Sequence, residues 1–583
     1  MPATSSSSLS RRAFLRFAAA GLPALVNACG PAVPPSLPTP TTGAAAQVIA
    51  GSTPKPAGSG PYPVYMPVSN APRPDYVNDD PRYDPGFDNY PPNPYRATQS
   101  PPGLGSTVNV LIAAYYPLPT PYDQNPTWQE INRQLNANVQ MNIIAGTDYR
   151  AKLATVMASD DLPDIIHLYQ GWSAGQNLPA FLKAKCADLT PYLGGDAARE
   201  YPYLAAIPTY AWKNSVCALD GQLLLVPIHR QLPTYPGAGG GYFFTNSEVW
   251  DSEIGADYNP KNADDFKRIL LQLNRPQENR WAIGNVGTAT GTTEFLFGLQ
   301  TYAAAFGAPN VWKLDTTGKL LRDRETEEYK AAVGYLRDLM AAGVFPSDVA
   351  SMPNSRDQLV AGKFVLSVEG YGNGYNDFWR RGLMRNPPIH YRMLKPFPAQ
   401  DGGKAQAFMT GGFVAMNALK KASPDRIKEQ LRIMNFLAAP FGSQEDLLLS
   451  YGIKDRDYAL DARGNPVPNT EGINRAGYVP WRYIAQHPYV NYQADLPGFA
   501  KASWGALQFL IPLSVNDPTM GYYSPTFFGK GTAANIAWSD GVRDIILGRR
   551  PLSDYDGLTQ TWARDAGDQI RKEFLDAMKA ERS

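Results

Sequence analysis

The stretch "TVNVLIAAYYPLPTPYDQNPTWQEINRQLNANVQMNIIAGTDYRAKLATVMASDDLPDIIHLYQ", residues 107–170, decides the fold. It contains three short apolar runs that are typical of buried strands, at 107–116, 139–146 and 163–170. Two segments with helical spacing lie between them, at 125–137 and 148–159. This order of strand, helix, strand, helix and strand implies right-handed crossovers and a parallel sheet. The sequence therefore predicts an α/β fold.

The alternation of strands and helices continues through the rest of the chain. The segment 220–230 is predicted to contain a short strand that ends at Pro227. Further strands are predicted at 241–246, 363–370 and 411–418. Further helices are predicted at 262–273, 292–307 and 326–343, after Ser423-Pro424, and within 538–578. Strand 411–418 is expected to return to the first sheet. A chain of 583 residues exceeds one ordinary domain, so two lobes are expected.

The N-terminus carries the features of an export signal. Arg11 and Arg12 precede an apolar run, 17–28, that is too short to span a bilayer, which predicts a twin-arginine signal peptide over 1–29. The four residues ending at Cys29 resemble a bacterial lipobox, although Asn27 departs from the usual small residue. Lipidation of Cys29 would anchor the protein to the outer face of the cell membrane. A short amphipathic helix of a cytosolic protein is the alternative.

Residues 30–105 are crowded with Pro, Gly, Ser and Thr, which predicts a linker between the anchor and a body at 106–578. Its second half also carries four aromatic side chains that are expected to dock on the body: Tyr76, Tyr83, Phe87 and Tyr90.

The balance of charge excludes some classes of partner. Lys and Arg number 54 against 53 acidic residues, so no global field favours nucleic acid or an anionic membrane surface. The 33 tyrosines, 23 phenylalanines and 11 tryptophans favour flat, hydroxyl-rich ligands, although aromatic cores explain such a composition equally well.

The cysteines and histidines predict neither a metal site nor a cofactor. Cys186 and Cys217 form no CxxC pair, and the four histidines include no pair at the helical spacing of metal ligands. In an oxidising compartment the two cysteines could form a disulfide or remain separate buried thiols, and the sequence leaves both open.

One motif is typical of an enzyme. Residues 171–175, "GWSAG", follow a predicted strand and fit the nucleophile elbow of α/β-hydrolases, with Ser173 as nucleophile and His229, His390 or His487 downstream. No HGG segment precedes the motif, and Pro179 interrupts the helix that should follow the serine. An exported serine hydrolase using Ser173 is therefore the alternative function.

The segment "DYRAKLATVMASDDLPDIIHLYQG", 148–171, resembles the extracellular solute-binding lipoproteins of ABC transporters, family 1, whose members chiefly bind sugars and oligosaccharides. The resemblance covers about 105–578. Further matching segments are "FLKAKCADLTPYL" (181–193), "DGQLLLVPIHR" (220–230), "FFTNSEVWDSEIGADYNPKNADDFKRIL" (243–270), "YLRDLMAAGVF" (335–345), "QLVAGKFVLSVEG" (358–370) and "FLAAPFGSQEDLLLSYGI" (436–453).

The resemblance implies a hinged, two-lobe α/β fold of the type II periplasmic-binding-protein kind, with a ligand cleft between the lobes. It places lobe 1 at about 106–228 and 400–460, lobe 2 at about 240–395, and a helical and aromatic loop region at 461–578. It also implies a monomeric receptor, without enzymatic activity, that delivers a sugar or oligosaccharide to a permease. The length of the chain suggests an oligosaccharide, while peptides remain open.

The site implied by the resemblance lies at the carboxyl ends of the strands, where open α/β sheets leave a crevice. The implied ligand-binding residues are Tyr115, Tyr116, Trp172, Arg230, Gln231, Glu369, Tyr371, Gly411, Gly412 and Trp504. Trp172 and Tyr371 would stack on a sugar face, and Arg230 and Glu369 would hydrogen-bond to hydroxyls. The glycines would let the backbone approach the ligand. Core packing is the alternative for each of these strand-end aromatics. Trp481 and Trp504, in the aromatic stretch 476–505, could line an extended cleft or pack at the surface.

Overall fold

A computed structural model of the chain describes residues 61–69, 71–169, 178–233, 241–284, 297–351 and 355–582. The predicted signal peptide, Cys29 and the first half of the predicted linker lie outside these ranges. Within the described ranges, no helix combines the length and the apolar character needed to cross a bilayer.

Nine strands form the two larger sheets. In chain order they are β1 (Thr107–Ala114), β2 (Asn138–Ala145), β3 (Ile165–Tyr169), β4 (Val226–His229), β5 (Tyr242–Asn246), β6 (Trp281–Ile283), β7 (Phe364–Glu369), β8 (Tyr391–Met393) and β9 (Phe413–Leu419).

The first sheet has the strand order β2-β1-β3-β9-β4. β1 pairs in parallel with β2 along its whole length and with β3 on its other side, because helical crossovers connect the three strands. β9 inserts antiparallel between β3 and β4. The parallel sheet and the return of 411–418 to it are thus confirmed.

The second sheet has the order β8-β5-β7-β6 and separate apolar clusters on its two faces. Neighbouring residues of β5 alternate between the faces, as the pleat of a strand requires. Phe243 packs with Phe266 and Tyr302 on one side, and Phe244 packs with Tyr375 on the other.

The longer helices pack in the same apolar clusters as these sheets. They are α1 (Pro126–Leu135), α2 (Gly146–Met157), α3 (Leu178–Lys185), α4 (Ala263–Leu273), α5 (Glu327–Ala341), α6 (Asn373–Leu383), α7 (Pro424–Leu437), α8 (Gln444–Tyr451), α9 (Phe499–Leu510), α10 (Gly531–Ile546), α11 (Tyr555–Trp562) and α12 (Asp568–Arg582). The predicted cap of α4 is confirmed, since the backbone N–H of Asp265 donates to Asn262 Oδ1 at 2.8 Å.

The strand predicted to end at Pro227 instead runs through it. β4 extends to His229, and it lies at the edge of the first sheet. Proline lacks a backbone N–H, so it is tolerated where a strand has a neighbour on one side only. The extra residues carry His229 and Arg230 to the end of the strand.

The second half of the predicted linker is packed against the body rather than free. We call residues 61–69 and 71–105 the N-terminal arm. Phe87 and Tyr90 are buried together with Phe441 and Tyr492. Such aromatic burial stabilises an otherwise proline-rich segment, so the linker predicted to reach residue 105 is wrong in its extent.

Further along, the N-terminal arm is held by two buried carboxylates of the body. The Glu445 carboxylate accepts the backbone N–H groups of Ala97 and Thr98, both at 2.9 Å. The Glu429 carboxylate accepts that of Leu104 at 2.7 Å. The arm therefore lies fixed along α7 and α8.

Both described cysteines are free, buried thiols. Cys217 Sγ lies 2.8 Å from Ser215 Oγ, and burial raises the pKa of each thiol to about 12. The bridged alternative is therefore not what the chain forms.

Candidate functional site

The carboxyl ends of β1, β3 and β4 meet at one edge of the first sheet, because these strands run in the same direction. β9 runs the other way and begins at this edge, with Ala415 opposite Tyr169. Tyr115 directly follows β1, Tyr169 ends β3, and Arg230 directly follows β4. The structure thus brings predicted site residues from distant parts of the chain together at the kind of edge where α/β proteins bind ligands.

A second segment lies against this edge and supplies two more tyrosines. The rings of Tyr115 and Tyr483 stack with their centroids 4.3 Å apart, and those of Tyr116 and Tyr478 stack at 6.1 Å. The Tyr116 side chain is 51% exposed, whereas Tyr115 is partly buried. We define the edge cluster as Tyr115, Tyr116, Tyr169, Arg230, Tyr478 and Tyr483.

A buried histidine holds Tyr115 in place. The Asn417 side-chain N–H₂ donates to two backbone carbonyls, so its Oδ1 faces His167 Nδ1 at 3.1 Å and accepts a hydrogen bond from it. His167 Nε2 is therefore the acceptor for the Tyr115 hydroxyl at 2.8 Å. Burial lowers the pKa of His167 to about 4, which keeps the ring neutral at neutral pH.

His229 is held in a similar way beneath Arg230. The backbone N–H of Tyr489 donates to His229 Nδ1 at 2.9 Å, so the proton of the neutral ring is on Nε2, which lies 2.8 Å from the Tyr210 hydroxyl. Burial lowers the pKa of His229 to about 3, and the charge of Arg230 lowers it further. Neither histidine is therefore charged at neutral pH.

Arg230 lies partly exposed in the edge cluster. Its guanidinium carbon is 5.3 Å from the centroid of the Tyr483 ring, and Nη1 donates to the His229 carbonyl at 3.0 Å and to Gln486 Oε1. Its backbone N–H donates to the Gly412 carbonyl at 2.9 Å, which ties the end of β4 to the start of β9. Gln231 follows it and is buried.

Glu369, Tyr371 and Trp504 belong to the second sheet and its covering helix. Glu369 is buried and accepts a hydrogen bond from Arg356 Nε at 2.7 Å. Tyr371 is fully buried and donates to the Ser503 carbonyl at 2.8 Å, and Trp504 packs against Tyr76 of the N-terminal arm. These contacts favour core packing for the two aromatics.

The two predicted glycines are explained by packing. Gly412 has φ +75°, and a Cβ there would lie 2.4 Å from the Tyr210 ring. A Cβ on Gly411 would lie 2.4 Å from the Phe413 ring. Both positions therefore need glycine whether or not a ligand approaches them.

The residues that carry the hydrolase alternative are only partly described. Trp172 and Ser173 lie outside the described residues. Of the downstream histidines, His229 is hydrogen-bonded at both ring nitrogens, His390 Nδ1 lies 2.7 Å from Glu248, and His487 Nδ1 lies 2.5 Å from the Pro488 carbonyl. No group of three or more His, Cys, Asp or Glu side chains in the described ranges could hold a metal ion.

Sequence reasoning missed Tyr478, Tyr483 and Gln486. They lie in the aromatic stretch 476–505, of which only the two tryptophans are named as candidates above. One of these, Trp481, is fully buried. The density of aromatic residues was the available signal. Which of them reach the edge of the first sheet depends on a loop path that no local pattern encodes.

No protein-family model matches the chain. Two curated relatives do, both from Bacillus subtilis (strain 168). The lipoprotein LipO is 22% identical over 81% of this chain and 92% of its own length. The polygalacturonan/rhamnogalacturonan-binding protein YtcQ is 21% identical over 77% of this chain and 87% of its own.

Among solved structures, the chain is similar to FusA of S. pneumoniae, an ABC-transporter substrate-binding protein in complex with kestose. The TM-score is 0.55 at 16% identity, covering 82% of this chain and 100% of FusA. The chain therefore has the α/β fold of ABC-transporter solute-binding proteins. The resemblance and the fold class predicted from the sequence are confirmed.

Proposed function

We propose that the chain is a membrane-tethered extracellular receptor that captures a saccharide of oligosaccharide size and delivers it to an ABC permease. The edge cluster is the observation that carries the proposal. Its tyrosines offer aromatic faces at the open edge of an α/β sheet, which is how proteins hold the apolar faces of sugar rings. YtcQ, whose name records the binding of polygalacturonan and rhamnogalacturonan, and FusA, solved with kestose, support the saccharide class.

In this proposal the two larger sheets are the cores of two lobes. A ligand that contacts both lobes stabilises the closed form, because its affinity for that form is greater. Tyr115, Tyr116 and Arg230 are the predicted residues that form the site on the first lobe, and Trp172 remains a predicted contribution. The predicted lipid on Cys29 would tether the receptor near its permease, and the relative LipO is a lipoprotein.

The test is a thermal stability scan of the full chain with neutral and acidic oligosaccharides, and with peptides as controls. A ligand at 100 times its dissociation constant adds about 2.7 kcal/mol to the free energy of unfolding, which raises the melting temperature measurably. Replacing Tyr116 with alanine is expected to weaken binding about tenfold, because one stacking face is lost. The half-exposed ring contributes little to the fold, so the unliganded melting temperature should stay nearly unchanged.

A matched control is Leu271→Ala on α4, since Leu271 is 49% exposed and lies outside the edge cluster. Its affinity should equal that of the wild type. A stabilising peptide with no response to any saccharide would contradict the proposed substrate class. A Tyr116→Ala affinity as high as that of Leu271→Ala would place the site elsewhere.

A further inference from the structure

Arg230 carries a positive charge that the described protein does not neutralise. Within the described ranges, no carboxylate oxygen lies within 4.0 Å of its guanidinium nitrogens, and its partners are a carbonyl, an amide oxygen and a phenol ring. Several other partly buried arginines of the chain have carboxylate partners. These include Arg482 with Asp446, Arg571 with Glu325, Arg426 with Glu429 and Arg280 with Glu253.

Several of the groups around Arg230 are neutral. Tyr116 and Tyr489 have pKa values raised to about 12, for Tyr116 chiefly by its neighbour Tyr483 and then by burial, and for Tyr489 chiefly by burial. His229 is neutral because burial lowers its pKa to about 3. His487 Nε2 lies 3.4 Å from Asp446 Oδ1. The Asp446 carboxylate already forms an ion pair with Arg482.

Asp84 of the N-terminal arm is a buried carboxyl near this environment, since its charge and that of Arg230 both act on Tyr489. Burial raises the pKa of Asp84 well above its ordinary value. A guanidinium contact would lower that pKa instead. Neither oxygen of Asp84 lies within 4.0 Å of the Arg230 guanidinium nitrogens, so Asp84 does not serve as the partner of Arg230.

The unused donors of Arg230 have a defined geometry. Within the described ranges, Nη1 makes both of the side-chain hydrogen bonds, so Nε and Nη2 remain available on one edge of the guanidinium. That edge presents two parallel N–H groups, which match the two oxygens of a carboxylate. A partly desolvated guanidinium without a counter-charge is costly unless a ligand supplies one.

We propose that the ligand is an anionic saccharide whose sugar-acid carboxylate pairs with the free edge of Arg230 while a sugar face lies on the tyrosines of the edge cluster. This inference rests on the proposed saccharide-binding function and names the class of saccharide. A neutral sugar hydroxyl would leave the charge of Arg230 uncompensated, whereas a carboxylate neutralises it. The two oxygens of a carboxylate also match the fixed fork of a guanidinium.

The experiment is isothermal titration calorimetry of the full chain with oligomers of galacturonate, mannuronate and glucuronate. Each acid is compared with its carboxyl-reduced counterpart, which has the same ring number and linkage without the charge. We expect at least one acid to bind about 10- to 100-fold more tightly than its reduced form, the range of a charge-assisted hydrogen-bonded pair.

Arg230→Gln should abolish this preference, so that this variant binds the acidic and the reduced oligomer with equal affinity. Arg230→Lys keeps the charge but loses the fork, so it should retain part of the preference. Arg268→Gln on α4 is the control, because it removes the same charge from an exposed arginine that is paired with Asp265. Unliganded melting temperatures establish that each variant is folded.

Equal binding of the acidic and reduced forms, or an unchanged preference in Arg230→Gln, would overturn this inference and leave the saccharide function standing. Binding only of a sulfated oligosaccharide would also overturn it, because the proposed anion is a carboxylate. If no oligosaccharide of either kind binds, the proposed function itself fails.

Discussion

Replacing Tyr90 with alanine is expected to lower the free energy of unfolding by about 3–5 kcal/mol, the usual cost of truncating a fully packed aromatic side chain. Tyr90 is 4% exposed, its ring packs against Phe441 and Tyr492 at centroid distances of 5.0 and 5.7 Å, and its hydroxyl donates to Asp446 at 2.9 Å. The truncation leaves a cavity and removes a hydrogen bond from a buried carboxylate. Urea denaturation of the full chain measures the change.

Tyr90→Phe separates the two contributions, since it keeps the ring and should cost about 1.5–3 kcal/mol for the lost charge-assisted hydrogen bond. Tyr65→Ala on the same N-terminal arm is the control, because Tyr65 is 39% exposed and should change stability by less than about 1 kcal/mol. If Tyr90→Ala were as mild as Tyr65→Ala, the arm would not be a packed part of the fold.

The second large effect is a dependence of stability on pH through His229. Burial lowers its folded-state pKa to about 3, whereas the unfolded chain has the ordinary value of about 6.5. Between these two pH values His229 is protonated in the unfolded chain but not in the folded protein. The free energy of unfolding therefore falls as the pH falls. His229 should therefore contribute a loss of about 1.4 kcal/mol per pH unit below pH ~6.5, and none above it.

His229→Asn isolates this contribution, because an amide oxygen can still accept the backbone N–H of Tyr489 and does not titrate. Carboxyls with raised pKa values, such as Asp84 and Asp517, act in the opposite direction but are present in both proteins. The informative quantity is the difference in unfolding free energy between wild type and variant, measured from pH 4.5 to 8. A difference that stays constant over this range would contradict the buried, neutral His229.

The sequence predicted the parallel sheet and its strand-end residues because these depend on local patterns. Apolar runs and helical spacing are properties of short windows, so Tyr115, Tyr116 and Arg230 could be placed just beyond their strands. The role of Tyr371 could not be separated from core packing, since an aromatic residue near a strand end suits either environment. Burial by Ser503 and its neighbours, far along the chain, decides it.

The N-terminal arm is a second case in which distant contacts decide what a local pattern cannot predict. Its composition is that of a linker, and composition measures how much apolar surface a segment can bury by itself. Tyr90 is ordered by partners more than 300 residues later, Phe441 and Asp446 among them. The prediction that its aromatics would dock was therefore sound, while the extent of the linker was not.

Packing of the N-terminal arm also sets the length of the tether between the proposed lipid anchor and the body. Tyr62 is already held to the body, because its carbonyl accepts the backbone N–H of Gly195 at 2.9 Å. If Cys29 carries the proposed lipid, the chain between anchor and body can span at most about 120 Å, at ~3.6 Å per residue. A tether that extended to residue 105 could have spanned more than twice that distance. The shorter one confines the receptor to a thin layer above the membrane, which raises its effective concentration at the permease.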